Sequence, residues 1–168
     1  VQVEKPGGQA SYTTTLPIVF NIQFSSQIWP ETFDISDMTQ NGTATGLTWS
    51  LVNSGDDTNY TLTVTGVSTE GTIIPSIASG IVKTGGALNN ASTSTDNTVT
   101  LDTQAPTITI TSPTGVEWFS TSLTVTGTCD EDSSVSISVT PTSTTTNCTG
   151  GVFSTSFDIS SVSDALGI

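Results

Sequence analysis

Few of the 168 residues are of a type that does chemistry. There is no histidine, and Lys5 and Lys83 are the only cations against 15 Asp and Glu, a formal net charge of −13. Without histidine there is no Ser-His-Asp triad, no Cys-His dyad and no imidazole metal ligand. Two cations cannot build a basic surface that neutralises phosphates, which argues against nucleic-acid binding. What remains is oxygen, sulfur and aromatic chemistry. The acids cluster once, at Asp130-Glu131-Asp132, directly after Cys129. Asp96 and Asp102 bracket the strand-like Thr98-Val99-Thr100-Leu101, and Glu117 follows early in the second half. Calcium takes six to eight oxygens, largely carboxylate and carbonyl. Such a cluster is therefore either a cation site or a solvated acidic turn. Asp56-Asp57, beside Asn53-Ser54-Gly55, reads as a turn in which Asx side chains bond local backbone. Glycoside hydrolysis needs two carboxylates in separated environments, and nothing in the spacing singles out such a pair, so the chain is read as non-enzymatic.

The two cysteines, Cys129 and Cys148, are not in Cys-x-x-Cys spacing, which argues against a redox or metal role. Among the aromatics, Trp49 and Tyr60 share the parity of apolar strand positions and read as core. Trp29 before Pro30, and Trp118-Phe119 near Gly115, are loop-like. Trp118 and Phe119 are the candidates for ligand contact, by stacking on a sugar ring. The competing reading is that they cap the end of a sheet or pack on a neighbouring domain.

These residues must be positioned by strands. Apolar residues recur with period two: Leu16, Ile18, Phe20, Ile22 and Phe24; Tyr60, Leu62 and Val64; Ile108 and Ile110; Leu123 and Val125; Val135, Ile137 and Val139. Alternate strand side chains face opposite ways, so each run offers one core face and one Ser/Thr face. Ser and Thr supply 59 residues, about 35 % of the chain, which explains how so uncharged a surface stays solvated. Turn signals separate the runs: Pro6-Gly7-Gly8, Asn41-Gly42, Gly85-Gly86 and Gly150-Gly151. No run shows helical spacing, and no apolar run approaches the roughly 18 residues of a membrane-spanning helix. The expectation is an all-β chain of antiparallel immunoglobulin-like β-sandwiches in tandem. Leu101-Asp102-Thr103-Gln104-Ala105-Pro106 reads as a short, stiff linker. It divides 1–102, long enough for a full sandwich, from 103–168, which holds about five strands where seven are usual. The second sandwich is therefore expected to be incomplete, its last strands supplied by later residues or by another chain.

Residues 91–114, from Ala91-Ser92-Thr93-Ser94-Thr95-Asp96 through Leu101-Asp102-Thr103-Gln104-Ala105-Pro106 to Thr111-Ser112-Pro113-Thr114, resemble a repeat junction in tandem bacterial Ig-like domains of large Gram-negative surface and adhesin proteins. Pro17 to Ser25, Phe33 to Asp37 and Gly71 to Gly80 are similar to successive segments of one such repeat, and Gly127-Thr128-Cys129 to the end of a second strand in another. The Asp-x-x-Gly-Asn loop of many repeats is replaced here by Lys83-Thr84-Gly85-Gly86-Ala87-Leu88-Asn89-Asn90.

The resemblance implies an exported segment at the bacterial cell surface, acting as a structural or adhesive repeat in a stiff stalk or fibre. Its partners would be neighbouring Ig-like repeats, and a host or cell-surface glycan or protein. The alternatives are a binding module, holding a glycan or peptide strand on exposed loops or an open sheet edge, and an accessory domain of a secreted enzyme. In an exported chain the even cysteine count reads as one Cys129–Cys148 disulfide, with two free buried thiols as the alternative. No cofactor is required. Resemblance to calcium-stiffened adhesins suggests that Asp102 meets Asp130, Glu131 and Asp132 around calcium at the domain junction.

Overall fold

The computed structural model describes residues 1–114, 121–139 and 142–160. Their regular structure is β throughout, apart from two short 3-10 turns at Pro30–Thr32 and Ile35–Asp37. The chain divides into two compact units, Val1–Gln104 and Ala105–Ile168.

The first unit holds β1 (Gln2–Glu4), β2 (Tyr12–Thr13), β3 (Ile18–Gln23), β4 (Met38–Gln40), β5 (Thr48–Asn53), β6 (Asn59–Gly66), β7 (Gly71–Ile73), β8 (Pro75–Ile77), β9 (Lys83–Thr84), β10 (Ala87–Leu88) and β11 (Val99–Leu101). Four of these form one antiparallel sheet in the order β1-β3-β6-β5. Its register sets Phe20 opposite Leu62, Ile18 opposite Val64 and Ile22 opposite Tyr60, so these apolar positions of β3 and β6 share one face, while Val19, opposite Thr63, lies on the other. Those six side chains are buried, whereas Asn21 and Gln23 between them are exposed. A second sheet, β2-β11-β7, joins a parallel pair to an antiparallel one. Val99, Leu101 and Ile73 from it enter the same core as the first sheet, giving a sandwich-like arrangement. Phe24, Phe33 and Tyr60 close one side of this core with mutual edge-to-face contacts, ring centroids 5.1 to 5.9 Å apart.

Two short antiparallel pairs, β4-β8 and β9-β10, complete the unit. The β9-β10 hairpin turns on Gly85 and Gly86, both at positive φ (+53° and +105°), a backbone that a two-residue hairpin loop needs and side-chain-bearing residues resist. Its base is held by Asn89, the one described buried polar side chain. The Asn89 carbonyl accepts from the Ile81 and Val82 N–H groups, and its amide donates to the Ala78 and Asn90 carbonyls.

The second unit holds β12 (Ile108–Ser112), β13 (Ser122–Cys129), β14 (Ser133–Val139), β15 (Thr142–Cys148) and β16 (Val152–Asp158). Three form an antiparallel sheet, β12-β13-β16, and two a hairpin, β14-β15. A smaller core gathers Val125, Val135, Cys148, Phe153 and Phe157. Here the structure departs from the alternation expected of β12. Ile108 and Ile110 are 44 % and 55 % exposed rather than buried. The strand lies at the sheet edge, hydrogen-bonded among the described strands to β13 alone.

Candidate functional site

The cysteine pair is the most local of the sequence-derived features. Cys129 ends β13 and Cys148 ends β15, and their sulfurs lie at bonding distance with Cα atoms 6.4 Å apart. Cys148 is buried, so the bridge ties the three-stranded sheet to the hairpin through the core of the second unit.

The acidic residues are placed differently from one another. In the first unit, Asp102 follows β11; its carboxylate accepts from the Tyr12 hydroxyl at 2.6 Å and from the Gln104 N–H at 3.0 Å. In the second unit, Asp130 accepts from the Thr107 N–H at 2.7 Å, which sets the start of β12 against the end of β13. That hydrogen bond holds the Asp130 carboxyl below the usual aspartate range. Asp132 accepts from the Gly150 N–H at 2.9 Å and so fastens the turn after β15. Glu131 lies in the bend between them. Within each unit, the described residues gather no group of three metal-ligating side chains. Glu117, Trp118 and Phe119 lie outside the described residues.

Other carboxylates act as backbone locks. Asp56 accepts from the Thr58 and Asn59 N–H groups and from the Asn59 amide, and these bonds keep its carboxyl low. Asp34 accepts from the Ser36 hydroxyl and N–H, as the first half of a capping box with Asp37. Glu4 is the most heavily used. Its two oxygens accept from the Ser94 hydroxyl, the Thr95 N–H and hydroxyl, and the Asp96 N–H. Slight desolvation raises its pKa, but these bonds outweigh it and leave the carboxyl below the usual range. Beside it, Lys5 forms an ion pair with Asp96.

A second constellation joins positions far apart in sequence. Trp29 is 49 % exposed, and the Lys83 ammonium lies over its ring, 5.5 Å from the centroid. Backbone and hydroxyl bonds fix this pair. The Trp29 N–H donates to the Lys83 carbonyl at 3.0 Å; the Thr32 hydroxyl donates to the Trp29 carbonyl at 2.7 Å and accepts from the Lys83 N–H at 3.0 Å. Leu88, opposite Lys83 in the hairpin register, is 54 % exposed. Trp29, Lys83, Gly86, Ala87 and Leu88 line a cavity of about 310 Å³. Sequence reading singled out Trp29 as loop-like but could not join it to Lys83, because 54 residues separate them and the hairpin brings them together. Glu4 carried no signal either, since its partners lie some 90 residues away.

No family model matches the chain, and neither do any curated protein or solved structure.

Proposed function

We propose that the chain is a segment of tandem immunoglobulin-like β-sandwich repeats, a structural or adhesive stalk element of an exported bacterial surface protein. The observation that carries this reading is the presence of two separately cored all-β units in one chain, joined at a Pro-containing junction. Long antiparallel ladders such as β3-β6 resist extension because their hydrogen bonds must yield together. The disulfide adds a covalent stop within the second unit. Both fit a load-bearing role. Single-molecule pulling on the chain from its two ends tests it. Two separate force peaks are expected, and reduction of Cys129–Cys148 should lengthen the extension of one of them. Smooth extension without peaks would reject the stalk reading.

A binding-module reading has one observation of its own. The edge strand β12 exposes Ile108 and Ile110, and among the described strands β14 pairs with β15 alone. An extended peptide of alternating apolar residues suits such a surface, since main-chain bonds supply affinity and alternate side chains fill the apolar face. Slowed amide exchange in β12 and β14 on addition of such peptides would favour this reading, and unchanged exchange would remove it.

A further inference from the structure

We propose that Trp29, Lys83 and Leu88 form a binding site for a carboxylate-bearing sugar of an acidic glycan. The first element is charge. Of the two cations in a chain of net charge −13, Lys5 is ion-paired with Asp96, whereas Lys83 makes no ion pair among the described residues. It leans over the Trp29 indole instead. A cation on an exposed aromatic ring gains only about 0.5–1 kcal/mol, so an arriving carboxylate that bonds the ammonium directly can draw it away.

The second element is shape. A pyranose ring has an apolar C–H face and a rim of hydroxyls. The C–H face suits the negative face of an indole, and Trp29 keeps about half its surface exposed. Leu88 and Ala87 supply an apolar wall, and the cavity of about 310 Å³ lies at the lower end of the range for small-ligand sites, roughly 300–1,000 Å³. A ring seated there meets an ammonium on one side and carbon on the other, which matches a sugar carrying one carboxylate.

The third element is pre-organisation. The Thr32 hydroxyl and the Trp29–Lys83 backbone bond lock the backbones of the two residues, and the Gly85-Gly86 turn sets Leu88 opposite Lys83, so that the Lys83 side chain is the part that moves on binding. Little backbone ordering is left to the moment of binding. The overall negative charge opposes approach of an acidic glycan, but at physiological salt charges more than about 8 Å away are largely screened. The nearest acid in sequence, Glu31, is exposed and two residues from Trp29.

The test follows the Trp29 indole N–H resonance of the full chain while acidic oligosaccharides are added. These are galacturonate trimers, glucuronate-containing trimers and sialyl-terminated trisaccharides, each beside its carboxyl-reduced counterpart. At least one acidic member should shift the resonance saturably, and its reduced counterpart should bind about tenfold more weakly or not at all. Lys83→Gln, a surface change whose fold is checked in the same spectra, should weaken that binding about tenfold and abolish the preference for acid. Trp29→Ala, followed through the Lys83 and Leu88 backbone amide resonances, should lose it. The proposal is overturned if no acidic member binds, if reduced and acidic forms bind alike, or if K83Q binds as the parent does. The stalk reading is judged by pulling experiments and stands or falls separately.

Discussion

Glu4 illustrates how this chain uses acid. Four donors from residues 94–96 converge on one carboxylate and tie the end of β1 to the segment that leads into β11. Because these donors favour the charged form, the folded-state pKa lies below the unfolded one. A group of that kind stabilises the fold above its unfolded pKa, and the contribution is lost as pH falls through the folded value. Asp34, Asp56, Asp130 and Asp158 are lowered in the same direction, so they act with the same sign. Relief of the net negative charge on acidification works the other way. The difference between parent and Glu4→Gln isolates the lock. Glu4→Gln should lower the melting temperature at pH 7, and the gap between the two proteins should close as pH falls below about 4. A gap that stays constant from pH 7 to pH 3 would remove the carboxylate's charge from the explanation.

At the scale of the element, the ladder between β12 and β13 depends on one missing side chain. A Cβ on Gly127 would lie 2.4 Å from both the Phe153 ring and the Thr109 carbonyl oxygen. The ring could shift, but the carbonyl belongs to the paired strand and cannot move without breaking the ladder. Gly127→Ala should therefore destabilise the second unit by about 1–3 kcal/mol, the usual cost of overpacking. Denaturant unfolding of the variant checks this, and an unchanged midpoint would show that β12 can shift freely. The element scale is also where sequence reading was most effective. Alternation located β3, β6, β13 and β14 because a half-buried sheet face imposes period two on the chain. It misjudged β12 because alternation states which face could be buried, not whether anything covers it.

For the molecule as a whole, the two units invite separate treatment. The Cys129–Cys148 bridge lies inside the second unit and closes a loop with a sequence separation of 19. In the chain-entropy picture, removing it costs roughly 3 kcal/mol. The double variant Cys129→Ser/Cys148→Ser should lose that stability from the second unit and leave unfolding of the first unchanged. Calorimetry or hydrogen exchange resolved by unit would read both. An equal loss in the two units would mean that they do not unfold independently. The bridge also bears on the small second core: five buried residues among the described positions form a modest apolar store beside the 17 of the first unit.

The sequence by itself determined the all-β class, the main alternating strands and the turns between them, but not the parallel pairing of β2 with β11. Each follows from local rules, in which period two marks a pleated face and Gly, Pro and Asn mark reversals. It also excluded histidine chemistry and a basic surface, because composition alone bounds those. What the carboxylates do was decided by tertiary structure. Asp130 and Asp132 read in sequence as an acidic cluster, yet each accepts a backbone N–H that another segment brings to it. The partnership of Trp29 with Lys83 was decided there too, because a cation meets a ring only where the β9-β10 hairpin is carried to the loop before Pro30. Local pattern is written along the chain; which distant groups meet depends on how the strands are ordered in the sheets, and no single residue carries that order.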